Sequence, residues 1–233
     1  MFDNLPNVSV VLPVFNGEKY LKAAIESILK QTYTQFEFII INDGSTDSTK
    51  QILLDYSDKD SRIKLIHQDN KGLVDSLNRG VSIAQGKYIA RMDADDISAP
   101  ERFELQVAFL EANPDYVAIG SDIVLIDDEA RKLTTQYQLQ DHESIQFAAF
   151  AGHCPICHPA ALIRTDAILK SGLYNKEFYP AEDLDLWLRL SEKGLLGNLN
   201  ASLLFYRMHG ESISGVTANG GRQRDAMRRA CEA

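Results

Sequence analysis

The feature that most constrains the fold is an alternation of short apolar runs with amphipathic segments along the first half of the chain. Val8–Val14 is a nearly continuous, valine-rich run, which indicates a strand buried on both faces. Residues 18–30 then carry apolar side chains at the spacing of an amphipathic helix. The alternation continues with predicted strands at 36–41, 63–66 and 87–92 and predicted helices at 48–56 and 73–84. We therefore predict an α/β fold, with a mostly parallel central sheet flanked by helices.

The pattern becomes less regular after Pro100. Predicted helices lie at 101–111, 141–150 and 182–192, and predicted strands at 117–119, 123–126 and 160–164. Neither a repeat nor a clear linker interrupts the chain, so we expect a single domain over residues 1–218. It has a regular half of about 1–100 and an irregular half of about 101–218. The basic segment 219–233 is predicted to be a helical tail.

Polar segments follow three of the predicted strands, at residues 15–17, 42–45 and 93–96. Ligands of parallel α/β sheets bind beyond the carboxyl ends of the strands, where these segments should meet. Segments that are distant in sequence are thus predicted to form one site.

Three carboxylates lie within four positions of the last of these segments: Asp93, Asp95 and Asp96. Burying such groups without partners costs several kcal/mol each, so a cation is expected nearby. Oxygen ligands suit Mg²⁺ or Mn²⁺, often shared with phosphate. A solvated acidic turn before the next helix is the alternative.

Asp43 and Asp183 are two further candidate site residues. Asp43 emerges at the end of a predicted strand, where its carboxylate can accept an N–H of a base, although turn chemistry explains its neighbours equally well. Glu182 and Asp183 open a predicted helix, where the helix dipole favours negative charge. That preference is a structural explanation, and it also suits Asp183 as a general base.

The segment 153–158 contains a Cys-x-x-Cys-His pattern, with Cys154 and Cys157. Haem attachment, zinc binding and redox chemistry are the alternatives it raises. None fits well, because no signal peptide is evident, no second cysteine pair is present, and the pattern does not open a helix after the first strand. Near the end of the chain, Arg207 and His209 with Ser212 and Ser214 suggest a phosphate-facing loop, although a lone histidine is more often structural.

Composition excludes some classes of function. A net charge of −9 argues against a nucleic-acid partner. It does not argue against an anionic small ligand, because a divalent metal supplies positive charge locally. No signal peptide and no apolar run of about 18 residues is found, and three cysteines fit a reducing compartment. We expect a cytoplasmic protein, and its basic tail suits either contact with anionic lipid at the inner membrane face or a solvated helix face.

Together these motifs resemble the family 2 glycosyltransferases, inverting enzymes with the Rossmann-like GT-A fold. The resemblance covers roughly residues 7–214. It rests on the segments 8–17, 36–47, 70–72, 78–80, 86–96, 158–159, 181–187 and 206–209, in this order and spacing.

The resemblance implies a nucleotide-sugar donor, commonly a UDP-sugar, a divalent metal (Mn²⁺ or Mg²⁺), and a hydroxyl of a glycan or lipid-linked acceptor. The first half of the domain would bind the nucleotide and the second half the acceptor. Asp183 matches the catalytic base, and Asp95 and His209 match positions at the metal. The implied nucleotide-binding residues are Pro13, Val14, Phe15, Glu18, Asp43, Lys71, Arg91, Asp93 and Ala94. The implied acceptor-side residues are Glu182, His158 and Trp187.

Two departures from the family pattern matter. Asn42 replaces an aspartate often found before Asp43, and the chain ends soon after His209. The second departure favours addition of single sugars over processive synthesis, and a truncated catalytic domain is the alternative explanation. The alternatives are a nucleotidyltransferase, which would need a longer basic loop after the first strand, a non-catalytic nucleotide- or glycan-binding module, and a metal or redox protein built on the cysteines.

Overall fold

The apolar runs of the first half form four neighbouring parallel strands. The computed structural model describes residues 6–210 and 222–232. Its sheet begins with β1 (Val8–Val14), β2 (Phe36–Asp43), β3 (Ile63–Gln68) and β4 (Tyr88–Arg91) in the spatial order β3-β2-β1-β4. Every residue of β1, β2 and β4 is buried. The predicted parallel sheet is therefore present, with central strands buried on both faces.

Helices cover both faces of these strands. They are α1 (Leu21–Leu29), α2 (Thr49–Ser57) and α3 (Leu73–Ile83). On one face, Leu21 and Ile25 of α1 pack into the larger core cluster. On the other face, Val74 and Leu77 of α3 join a second cluster. The amphipathic periodicity in the sequence predicted these helices because each buries a single stripe.

The second half extends the same sheet. Its elements are β5 (Ile97–Ser98), α4 (Arg102–Ala112), β6 (Tyr116–Ile126), β7 (Lys132–Gln136), α5 (His142–Phe150), β8 (Leu162–Arg164), α6 (Thr165–Lys170), α7 (Glu182–Ser191), β9 (Leu195–Arg207) and α8 (Arg222–Glu232). Beyond β4 the sheet continues β8-β6-β9-β5, and β7 pairs with β6. β6 and β9 are parallel, whereas β8, β5 and β7 pair antiparallel with their neighbours. The described residues thus form a mixed α/β domain around one continuous sheet.

Strand boundaries in this half differ from the sequence prediction. The two strands predicted at 117–119 and 123–126 are one strand, β6, because Gly120, Ser121 and Asp122 continue the pairing with β9. β7 was not predicted, because four of its five residues are exposed and carry no apolar alternation. Long-range pairing rather than local propensity determines these strands.

The carboxyl ends of β1, β2 and β4 converge as predicted. β1 pairs with β2 on one side and with β4 on the other, which places a topological switch point between them. Asn16 Oδ1 accepts the Thr46 N–H at 2.8 Å, and Ser45 Oγ accepts the Asn16 N–H at 2.9 Å. The loops after β1 and β2 are therefore joined directly.

The tail forms α8 between residues 222 and 232, where the sequence predicted a helix. Ala226 and Ala230 are buried, and the helix packs on α7. Across residues 6–210 and 222–232, no helix combines the length and the apolar character needed to cross a membrane.

Candidate active site

Two adjoining cavities lie at the carboxyl ends of the strands, and Leu73, Asp93 and Asp95 line both of them. We call the first, of about 450 Å³, the strand-end cavity; its other lining residues include Pro13, Val14, Phe15, Asp43, Ala94 and His209. We call the second, of about 440 Å³, the helix cavity; it includes Arg91, Cys154, Cys157, His158, Glu182 and Asp183. The structure thus brings the carboxylates at 43, 93, 95 and 183 to one crevice.

The three carboxylates after β4 form the most acidic part of this crevice. One oxygen from each of Asp93, Asp95 and Asp96 lies within 4.8 Å of the others. The Arg91 guanidinium forms an ion pair with Asp93, and His209 Nε2 lies 2.8 Å from Asp95 Oδ2. The three carboxylates outnumber these two basic neighbours, so the cluster remains acidic.

Asp96 is the buried member of the cluster. Its Oδ1 accepts the Arg207 N–H at 2.8 Å, whereas Oδ2 has no hydrogen-bond partner among the described residues. Burial, together with the carboxylates of Asp95 and Asp93, raises the pKa of Asp96 well above its usual value. An unpartnered buried oxygen in a group of hard oxygen donors fits a Mg²⁺ or Mn²⁺ site.

A buried arginine holds the end of β4 in place. Arg102 of α4 is fully buried, and its Nη2 donates to the carbonyl oxygens of Arg91 at 3.0 Å and Ala161 at 2.9 Å. Burial lowers the pKa of Arg102 to about 9. Arg102 was not among the predicted site residues. A charged side chain at a core position of α4 is the sequence feature that could have indicated its role.

Asp43 ties the loop after β3 to the end of β2. Its carboxylate accepts the backbone N–H groups of Lys71 at 2.9 Å and Gly72 at 2.8 Å, and the Gln68 amide at 2.7 Å. Gly44 permits this close approach, because a Cβ there would lie 2.7 Å from the Asn70 nitrogen. Lys71 thus contributes its backbone, and its exposed side chain does not line either cavity.

Glu18, predicted at the nucleotide pocket, contacts the start of α2. Its carboxylate accepts the Ser48 N–H at 2.9 Å at the start of α2, and it is not among the residues that line the strand-end cavity. Tyr20 occupies the cavity wall instead, with its ring 5.1 Å from that of His209 and its hydroxyl 2.6 Å from Asp128 Oδ1. The amphipathic pattern predicted over residues 18–30 counts Tyr20 among its apolar positions, but Tyr20 lies just before the first residue of α1.

Asp183 lies in the first turn of α7. Leu184 N–H donates to Oδ1 at 2.8 Å, and the Cys154 thiol donates to Oδ2 at 3.0 Å. Its neighbour Glu182 is 5% exposed, and Oε2 has no hydrogen-bond partner among the described residues. Burial, then the Asp183 charge, raises the pKa of Glu182 to about 7.

Trp187, predicted on the acceptor side, lies in the core beneath the helix cavity residue His158. It is fully buried and packs edge-on against His158 with ring centroids 6.0 Å apart, so it does not reach the acceptor side of the crevice. His158 does line the helix cavity, but its Nε2 lies 2.7 Å from the Tyr174 hydroxyl. Burial lowers the pKa of His158 well below its usual value, which keeps the ring neutral.

Arg207 does not face a phosphate. It is 3% exposed, and its guanidinium donates to the carbonyl oxygens of Asp95 at 2.8 Å and Asp127 at 2.8 Å. It therefore supports the acidic loop from behind. Ser212 and Ser214, the other members of the predicted loop, lie outside the described residues.

The raised pKa of Glu182 predicts a pH-dependent stability. Between pH 4.5 and about 7 the folded state binds more protons at Glu182 than the unfolded state, so this group destabilises the fold as pH rises. As the pH rises from 5 to 8, the free energy of unfolding of Glu182→Gln should therefore increase by about 2–3 kcal/mol relative to that of wild type, at about 1.4 kcal/mol per pKa unit. Denaturant unfolding at both pH values measures it. Glu192→Gln, an exposed change at the other end of α7, is the control, and parallel profiles for Glu182→Gln and wild type would contradict the prediction.

Comparison with known proteins defines the class. Residues 9–172 match the family model described as Glycosyl transferase family 2. The chain therefore belongs to glycosyl transferase family 2, a family of enzymes.

Two curated relatives agree with this assignment. An uncharacterized glycosyltransferase of Haemophilus influenzae is 38% identical over 224 residues, covering 92% of this chain and 69% of the relative. The O-antigen biosynthesis glycosyltransferase WbnJ of Escherichia coli is 34% identical over 212 residues, covering 89% and 82%. The chain spans much less of other relatives, such as 30% of an uncharacterized glycosyltransferase of Rickettsia bellii.

Solved structures share the fold. S. aureus TarS 1-349 in complex with UDP-GlcNAc matches with a TM-score of 0.75 at 20% identity, covering 96% of this chain and 65% of that one. The mannosyltransferase PcManGT from Pyrobaculum calidifontis, in complex with GDP-Man and Mn²⁺, matches with a TM-score of 0.71 at 15% identity, covering 97% and 63%. At these identities the likeness concerns the fold alone.

Proposed function

We propose that this glycosyltransferase moves a sugar from a nucleotide diphosphate sugar, preferably a UDP-sugar, to a hydroxyl of a glycan or lipid-linked acceptor, with inversion. The observation that carries the proposal is the meeting of the two cavities at Asp93 and Asp95. Asp43 lies only in the strand-end cavity and Asp183 only in the helix cavity. A donor in the first and an acceptor in the second would bring their reacting groups together at the shared carboxylates.

The strand-end cavity is the proposed donor site. Asp43 would accept an N–H of the base, with Pro13, Val14 and Phe15 as the apolar wall beside it. Asp93, held by Arg91, would face the ribose, next to Ala94. TarS and PcManGT, which have the same fold, bind UDP-GlcNAc and GDP-Man; both support a nucleotide diphosphate sugar in this cavity, and the preference for uridine follows from the family resemblance.

The acidic cluster is the proposed metal site. Asp95 and His209 would hold Mn²⁺ or Mg²⁺, and the Mn²⁺ complex of PcManGT supports this assignment. When bound, such an ion neutralises charge on a leaving diphosphate. Arg207 would keep the loop in register, because it binds the Asp95 carbonyl.

Asp183 is the proposed general base. It would take the proton of the acceptor hydroxyl as that oxygen bonds to the anomeric carbon and the bond to the nucleoside diphosphate breaks. Asp183 is preferred to Glu182 for this role because it matches the base position of the family pattern, whereas the Glu182 side chain is buried. Glu182 and His158 would instead shape the acceptor side of the cavity.

The proposed acceptor is a hydroxyl of a glycan or of a lipid-linked molecule. The name of WbnJ, an O-antigen biosynthesis glycosyltransferase, supports a glycan or lipid-linked acceptor. A lipid-linked acceptor would place the enzyme at the inner membrane face. The exposed side chains of Arg224, Arg228 and Arg229 on α8 offer contacts to anionic lipid there.

A nucleotide-sugar screen tests the proposed function. With Mn²⁺ and a UDP-sugar at about 100 times its Kd, linkage predicts about 2.7 kcal/mol of stabilisation, or a rise in Tm of about 5–10 °C for a chain of this size. Release of UDP from the bound donor then distinguishes an enzyme from a binding module. A screen in which no nucleotide sugar stabilises the protein would refute the proposal.

A further inference from the structure

Cys154 is a polar group of the helix cavity that the proposed reaction does not use. It lies between α5 and β8, and its Sγ is 3.0 Å from Asp183 Oδ2. Asp183 Oδ1 is bound by the Leu184 N–H at 2.8 Å. Each oxygen of this carboxylate is thus bound by a donor from a different segment of the chain.

The loop that presents Cys154 is held firmly. Asn198 of β9 donates from Nδ2 to the Pro155 carbonyl oxygen at 3.0 Å, and Ile156 is fully buried. Gly120 leaves room for this packing, since a Cβ there would lie 2.7 Å from Ile156 Cγ2. These contacts with the sheet therefore fix the position of the Cys154 sulfur.

Cys154 is a donor and not a nucleophile at neutral pH. Burial, then the charge of Asp183, raises the pKa of its thiol well above the usual value. A protonated thiol next to a carboxylate donates its S–H, because an ionised carboxylate only accepts. Among the described residues, Cys154 and Cys157 do not belong to a cluster compact enough for a metal ion, so a zinc role is not supported.

We propose that Cys154 is a positioning residue for Asp183. Its S–H and the Leu184 N–H fix the plane of the carboxylate, so that the base meets the acceptor hydroxyl in one orientation. This inference rests on the proposed function, in which Asp183 is the base. It differs from the redox and metal alternatives that the Cys-x-x-Cys pattern raises.

The first test is kinetic. Cys154→Ala should lower kcat about 10-fold, as expected for losing one hydrogen bond to a charged group, with the KM of the donor unchanged. Cys154→Ser, which keeps a donor, should restore most of the rate. Cys231→Ser is the matched control, since this thiol donates to the Ala149 carbonyl oxygen away from the crevice. Full activity in Cys154→Ala, or no rescue by serine, would overturn the proposal.

A double-mutant cycle separates positioning from a general structural effect. If Cys154 acts through Asp183, Cys154→Ala should cost little further rate in an Asp183→Asn background. A second loss of about 10-fold there would overturn the proposal.

Thiol reactivity provides a readout that does not need activity. In a Cys157→Ser, Cys231→Ser background, Asp183→Asn removes the charge that raises the thiol pKa, and alkylation of Cys154 by iodoacetamide should become about 3- to 10-fold faster. An unchanged rate would refute the contact. If wild type transfers no sugar, the proposed function fails, yet this measurement still decides whether Cys154 and Asp183 interact.

Discussion

We expect Asp183→Asn to lower kcat by about 10²- to 10⁴-fold, the usual scale for loss of a general base, while the affinity for UDP stays within about twofold of wild type. The amide cannot take the proton of the acceptor hydroxyl, but it nearly preserves the shape of the side chain. Nucleotide binding is spared because Asp183 does not line the strand-end cavity. Steady-state kinetics and calorimetry with UDP measure the two effects separately.

The control for this variant is Asp166→Asn. Asp166 lies in the first turn of α6, as Asp183 does in α7, but it is exposed and pairs with Lys170 at 2.9 Å. It should keep wild-type kcat. Full transferase activity in Asp183→Asn would remove this residue from the role of base.

We expect Asp95→Ala to abolish the gain in UDP affinity that the proposed metal site predicts for Mn²⁺. Replacing a residue that only orients a metal ligand through a hydrogen bond already lowers metal affinity by about 10- to 100-fold. Loss of a direct ligand should therefore lower it by at least about 100-fold. The cluster would lose one of three carboxylates, and His209 would lose the oxygen 2.8 Å from its Nε2. Calorimetric titration of UDP with and without Mn²⁺ measures the difference.

Asp58→Ala, an exposed change at the end of α2, should leave the Mn²⁺ dependence unchanged. A nucleotide affinity in Asp95→Ala that still rises with Mn²⁺ as in wild type would show that the metal binds elsewhere. Binding that is unaffected by Mn²⁺ in both proteins would show that the donor needs no metal.

The regular half of the fold was readable from local patterns. β1 has the predicted bounds, and β2 and β3 extend each predicted strand by two residues. Strands buried on both faces leave continuous apolar runs, and helices that bury one stripe leave a clear period. In the second half, β7 and the polar middle of β6 are held in the sheet by partners distant in sequence. Such pairing leaves no local signal in the sequence.

The candidate site was predictable to a similar extent. Asp43, Asp93, Asp95 and Asp183 meet at the crevice because strand ends and a helix start converge there. Tertiary packing decided the rest. The sequence did not reveal that Trp187 is in the core, nor that Cys154 contacts Asp183, because neither fact depends on neighbours in the chain.

A crystal structure with a UDP-sugar and Mn²⁺ tests the central claim most directly, through the distance from the anomeric carbon to the carboxylate of Asp183. We expect uracil at Asp43 and the acceptor oxygen between the Asp183 carboxylate and the anomeric carbon. The distance from that carboxylate to the anomeric carbon is then about 6 Å, the span of one hydrogen bond and one attack distance. An anomeric carbon turned away from Asp183, or a nucleotide outside the strand-end cavity, would contradict the account.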